Sequence, residues 1–351
     1  MMNRKFYFSL LAFALTLVAT VAFVVGHGTA SRAASANAAL AALPASDFVI
    51  SIDVQRGLNE TLPSLLASNP ALLAKMNAHL DRFQRETGIN PRTFESVAVG
   101  SRITAARPHD SRTVVIARGS FNSDQLLDNA IAFAKAKGER FQKEEQQYEG
   151  KRIILINSSR GVKDAVEGGE NPPATSYKSS DRMVISVIDS NTLAIGDLEG
   201  VRAAVDASMG RERVDDELVR LATLQPNAVV GFSGKIPQGL SQKASTSGIE
   251  KYVASIRQFY GSFSANGTDA ESTVAVRTET AEQASEIGQA LNTLKTLSSF
   301  GFARSSGGQG SAKADSLADL IKGLSITTTG NEVQINVRIP QGSLTPLMHT
   351  F

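Results

Sequence analysis

The sequence predicts an α+β fold: two divergent β-α-β-β-α-β-β units with mainly antiparallel sheets and packed helices, behind an N-terminal hydrophobic export helix. Three observations predict it. Apolar residues alternate along short runs bounded by glycine-containing turns, as half-buried strands require. Between those runs lie stretches whose apolar residues recur at helical spacing. The order of the runs also returns at a near-constant offset: Val49 and Val229 are 180 positions apart, Thr113 and Thr273 are 160 apart, and Ile153 and Val333 are again 180 apart.

The amino end opens with Arg4-Lys5, followed by twenty residues from Phe6 to Val25 without a charge. A basic start before an apolar run is an export signal. Small residues at "GTA" (28–30) and "ASA" (34–36) suit a signal peptidase, while the length of the run suits a membrane span. A cleaved signal peptide and a retained signal anchor therefore both stay open over residues 1–30. In either case Arg4 and Lys5 remain inside and the body emerges on the far side, in the periplasm or cell envelope. An Ala/Ser-rich linker follows over 31–45.

The first unit is expected over 46–210. "SDFVISIDV" (46–54) reads as its opening strand, with Phe48, Ile50 and Ile52 on one face. A helix follows, with Asn69 as N-cap, Pro70 at the first helical position and Gly88 closing it; its stripe is Leu73, Met76, Leu80 and Phe83. "FESVAVGSRI" and "RTVVIARGSF" are two strands. The next helix begins with a capping-box pair, Asn122 and Gln125, carries Leu127, Ala130, Ile131 and Ala134, and ends at Gly138. "RFQKEEQQYEGKRIILIN" is a hairpin turning at Glu149-Gly150. Residues 158–182 have the composition of a solvated flexible loop.

The second unit is expected over 211–340. "PNAVVGFSGKIP" resembles the opening strand, and "KYVASIRQF" fits part of a helix. "YGSFSANGTDAESTVAVRT" is a hairpin turning at Asn266-Gly267. A long helix with Thr280 and Gln283 as its capping pair puts Ala284, Ile287, Leu291 and Leu294 on one face. "GLSITTTGNEVQINVRIP" closes the unit as a hairpin with Gly330-Asn331 at its turn. A Gly/Ser-rich flexible loop is expected over 304–314, and 341–351 form a C-terminal tail.

Composition excludes several activities. The first 46 residues hold Arg4, Lys5 and Arg32 and no acid, so the body carries 36 − 3 = 33 basic residues against 34 acids. A nearly neutral body without tryptophan gives no footprint for nucleic acid. The absence of cysteine removes disulfides, thiolate metal sites, thiol nucleophiles and lipid modification of an N-terminal cysteine.

No motif supplies catalytic, cofactor-binding or metal-ligating residues. "GDLEG" has Gly196 and Gly200 but neither the three glycines of a dinucleotide fingerprint nor the Gly-Lys of a P-loop. Asp197 reads as the helix's own cap, and with Glu199 it fills the positive end that a phosphate would need. Neither "GFSG" (231–234) nor "GSFSA" (261–265) has the spacing of a nucleophile elbow. Of four histidines, His27 lies in the export segment, His349 near the end and His79 beside a helical stripe. His109 neighbours Asp110 and Ser111, but triad residue types adjacent in sequence are not a triad. "VDDE" (214–217) suits a helix N-terminus, and the mixed charges of "KEEQQYE" (143–149) suit a solvated strand face.

"LPASDFVISIDV", the Tyr-x-Gly hairpin "YEGKRIILI" and "LAIGDLEGVRAAVDA" resemble an uncharacterised group of exported bacterial proteins that carry a domain of unknown function. The likeness spans most of residues 43–339 and implies fold and compartment, with no catalytic residues. The expected function is therefore that of a non-catalytic exported or membrane-anchored envelope protein, a module that binds another protein, a lipid or an envelope polymer. Membrane contact would run through Phe6 to Val25 if that segment stays attached. Two alternatives stand beside it: a periplasmic hydrolase or metal-dependent enzyme with a carboxylate site, and a chaperone-like factor acting on exported chains.

Overall fold

The computed structural model describes residues 38–103, 112–136, 141–158, 182–236, 250–305, 321 and 323–341. The export segment, residues 31–37 of the linker, His27, His109, Gly138 and His349 lie outside the described residues, as do the interiors of both expected loops and nearly all of the tail. No described helix is long and apolar enough to cross a membrane. The chain is mixed helix and strand with antiparallel sheet, as the alternating and helical runs predict. It divides into two compact units: an N-unit holding 38–49 and 74–219, and a C-unit holding 50–73 and 220–341.

In chain order the elements are β1 (Phe48–Asp53), α1 (Val54–Arg56, Gly57–Thr61 and Leu62–Leu65 in succession), α2 (Pro70–Thr87), β2 (Phe94–Arg102), β3 (Arg112–Gly119), α3 (Ser123–Ala136), β4 (Phe141–Tyr148) and β5 (Lys151–Ser158). There follow β6 (Arg182–Asp189), β7 (Thr192–Gly196), α4 (Leu198–Ser208), α5 (Asp216–Ala222), β8 (Val230–Lys235), α6 (Glu250–Ser255), β9 (Ile256–Asn266), β10 (Asp269–Thr278), α7 (Ala281–Ser305), β11 (Leu324–Thr329) and β12 (Glu332–Ile339). The middle stretch of α1 is π-wound, its register set by the Leu62 N–H donating to the Gly57 carbonyl.

The strands of the N-unit run β2-β3-β7-β6-β5-β4, with every described pairing antiparallel. Helix α3 sets Leu127 and Ile131 on Ile154, Ile156, Ile185 and Leu193. Helix α4 packs on β3, β6 and β7 and buries Val201, Ala204 and Val205. In β5, Ile153, Ile154 and Leu155 are all buried, although successive side chains point to opposite faces. A strand covered on both faces needs an unbroken apolar run, which is what "IILI" supplies. The β4–β5 turn falls at Glu149 (φ 49°) and Gly150 (φ 73°), the paired left-handed residues of a type I′ hairpin.

The C-unit strands run β11-β12-β10-β9-β8-β1. Helix α7 sets Ala284 and Ile287 on Val333, with Val276, Ile326 and Leu291 partly buried around them. On the opposite face, Leu221 of α5 packs with Tyr260 and Ala275. Three expectations are corrected here. Residues Ile256 to Phe259 of "KYVASIRQF" belong to β9, because the helix stops at Ser255. The β9–β10 turn is Gly267-Thr268, since Asn266 still pairs with Asp269. Helix α1 joins β1 to α2 where no helical stripe was legible.

The sheet order also bears on the recurring offsets. Ile116 of β3 pairs with Ala194 of β7, and 160 positions after Ile116, Val276 of β10 pairs with Val333 of β12. Beside β3 therefore stands the hairpin β7-β6, and beside β10 the hairpin β12-β11. The offset of Ile153 to Val333 had matched β5 with β12. Beside β3 the ladder places β7, not β5, and β4–β5 is a further hairpin at the outer end of the N-unit order.

Candidate interaction edge

The strand-to-helix corner "GDLEG" is a capped turn. Asp197 Oδ1 accepts the Gly200 N–H at 2.7 Å, and Oδ2 accepts the Thr113 N–H of β3 at 3.1 Å. Arg112 pairs with Glu199 at 2.5 Å. The carboxylates already satisfy the donors that a phosphate would use. Replacing Asp197 by alanine is expected to cost about 1–2 kcal/mol of stability, since it removes the helix cap together with an exposed hydrogen bond to β3. Asp197→Asn should cost less. Urea unfolding midpoints of the two variants check this, and equal midpoints for wild type and Asp197→Ala would exclude the cap's role.

Other candidates also read as structure. Asp215 caps α5 by accepting the Glu217 N–H at 2.8 Å, so "VDDE" is a helix start. His79 is exposed on α2. Among the described residues no three His, Asp or Glu side chains are grouped to hold a metal ion. Tyr148 donates to Asp206 Oδ2 at 3.0 Å while Arg211 holds Asp206 Oδ1 at 2.7 Å, which ties the β4–β5 turn to α4. That hydrogen bond, then burial, pushes the Tyr148 phenol up from its ordinary value.

The C-unit offers a surface of a different kind. Its register places Gln258, Arg277, Glu332 and Thr329 in one cross-strand row, and Tyr260, Ala275, Gln334 and Thr327 in the next. A third row holds Ser262, Thr273, Asn336 and Ser325. Apart from Ala275, which with Tyr260 packs on Leu221, these rows are polar and bonded to one another. Tyr260 donates to Glu332 Oε1 at 2.8 Å, and Arg277 Nε donates to Oε2 at 2.8 Å. Arg277 Nη1 reaches Gln258 Oε1 at 3.2 Å, with its guanidinium 5.1 Å from the Tyr260 ring centroid. Burial, then the Glu332 bond, pushes the Tyr260 phenol up. For Arg277 burial acts against the charge, and the Glu332 carboxylate outweighs it, so that group also moves up. Period-2 polar residues in "EVQIN" and "IRQFYGS" signalled this face, but the sequence did not show that three strands would align them.

The other face carries α7. Glu279 and Thr280 N–H groups both donate to Gln283 Oε1 at 3.2 Å, so the expected capping pair forms. At 25 residues the helix is about 37 Å long, whereas an eight-residue strand such as β12 spans about 27 Å. Lys295 Nζ donates to the Leu324 carbonyl at the start of β11. Around it Leu294 and Leu297 are 60% and 61% exposed. Leu294 was expected to be buried with Ala284, Ile287 and Leu291. Its angle around the helix fits that stripe, but angle does not say what lies opposite.

No family model matches the chain, and no curated protein matches it. Solved structures of TP0453 are similar in backbone. Crystal form III is 9% identical, with a TM-score of 0.43, covering 89% of this chain and 98% of that one. Crystal form IV is 9% identical, with a TM-score of 0.43, covering 88% and 95%.

The exposed leucines lie on α7 near Lys295, which reaches the first residue of a strand that, among the described residues, is paired on one side only. β11, "LSITTT", ends the C-unit order, carries no charge and no proline, and exposes Ser325, Thr327, Thr328 and Thr329. The strand that ends the N-unit order is different: β4 displays Lys143, Glu144 and Glu145, with Glu145 paired to Lys143 at 3.5 Å and to Arg152 at 3.0 Å. Charged side chains on an edge discourage further strand pairing, and an uncharged edge admits it.

Proposed function

We propose that this chain is a non-catalytic exported or membrane-anchored envelope protein that works as a binding module, and that it binds through the corner of the C-unit formed by α7 and β11. One observation carries this reading: two leucines more than half exposed stand beside an uncharged edge strand. Exposed apolar groups clustered on a folded surface mark interaction sites, and an open edge is a template for an added strand. The export signal read in Arg4, Lys5 and Phe6 to Val25, and the resemblance to exported bacterial proteins, support the compartment. The shared order β9-β10-β12-β11 and β2-β3-β7-β6, each with a helix over its last hairpin, supports an internal duplication.

The test is native mass spectrometry of the chain extracted gently from the envelope of its own cells. Wild type should retain a bound species, and the Leu294→Glu, Leu297→Glu double variant should lose it. Exposed substitutions of this kind should change unfolding stability by no more than about 0.5 kcal/mol each. Bare wild type, or a double variant that keeps the species, would overturn the reading. The same spectra give the polypeptide mass and so the fate of residues 1–30.

A further inference from the structure

The partner that fits this corner is a second copy of the chain. We infer that two copies join β11 to β11 in antiparallel fashion about a two-fold axis; this rests on the binding-module reading and names its partner. An edge strand needs an extended, uncharged, unpaired segment as its complement, and β11 is itself such a segment. Self-pairing occupies both open edges at once and closes, so that no further copies are recruited. Threonines 327, 328 and 329 are β-branched residues that pair well across strands.

Charge agrees with this arrangement. No charged residue lies within β11, so no like charges meet across the joint. Antiparallel pairing places residue 324 of one copy toward residue 329 of the other. The two Lys295 ammonium groups, each held at its own Leu324 carbonyl, therefore sit at opposite ends of the joint. With the axis perpendicular to the sheet, both α7 helices lie on one face, each bringing Leu294 and Leu297 beside the joint. β4 cannot serve in the same way, because self-pairing there would set Glu144 and Glu145 against their own copies.

The chain has no cysteine, so a single introduced thiol is an unambiguous reporter. In the full-length protein in its own envelope, Thr327→Cys should be linked by a short bis-maleimide into a product of twice the chain mass. Gln142→Cys, exposed on β4, should give none. Adding Thr328→Lys to Thr327→Cys should reduce the linked product at least five-fold. Absence of the product at position 327, or equal products at 327 and 142, would overturn the dimer. A product at 327 containing a different protein would also overturn it while leaving the binding-module reading intact. No adduct together with a bare native mass would end both.

Discussion

Arg56→Met is expected to remove about 3–5 kcal/mol of stability, which is the scale for stripping one partner from a buried charged pair. Arg56 is 1% exposed. Its Nη1 donates to the Pro226 carbonyl at 2.9 Å and the Ala228 carbonyl at 3.3 Å, while Nε stands 3.4 Å from Asp53 Oδ2. Asp53, itself buried, accepts the Arg56 backbone N–H at 2.8 Å. One guanidinium thus fastens the end of β1 to the segment that leads into β8. Methionine fills much of the volume but donates nothing, so two part-buried carbonyls and a buried carboxylate lose their charged partner. Arg56→Lys should also be costly, because a single ammonium cannot reproduce the fork. Adding Asp53→Asn to Arg56→Met should recover part of the loss by removing the stranded charge. Urea unfolding of the three variants checks all of this, and a wild-type midpoint for Arg56→Met would refute it.

The second large effect is expected at Gly231. A Cβ built there would lie 1.7 Å from the Ala222 carbonyl oxygen, the last residue of α5. No rotamer relieves a clash made by Cβ itself, so β8 or α5 must move. Gly231→Ala should cost about 3 kcal/mol, the upper end for overpacking a filled site. Gly210 is the control: its φ of +87° strains any side chain, but nothing lies within 4 Å. Gly210→Ala should therefore cost only about 1 kcal/mol of backbone strain. Midpoints from chemical unfolding separate the two, and equal costs would show that β8 or α5 yields to the added Cβ without the expected penalty.

Local chemistry was legible in the sequence. The caps at Asn69, Asn122, Asp197 and Thr280 each form, because a cap is decided within four residues. The turns at Glu149-Gly150 and Gly330-Asn331 were read correctly for the same reason. What failed was long-range. Periodicity gave the facing angle of Leu294 but could not show that it is left 60% exposed. Offsets along the chain set β5 against β12, because both are second strands of hairpins, but could not show that β7 is the strand beside β3. Arg56 was invisible because one arginine after a strand looks like any surface charge. Its partners Pro226 and Ala228 lie some 170 residues away.

The β3–β7 ladder also has a kinetic side. Each hairpin joins strands separated by a turn, so hairpins form early and independently, within microseconds in isolated cases. The ladder between Ile116 and Ala194 must close a loop of 194 − 116 = 78 residues before its first bond forms. The chain between them already contains α3, β4, β5 and β6, which shorten that loop once they are folded. If the hairpins β4–β5 and β6–β7 form first, β7 would reach β3 with its other edge already paired.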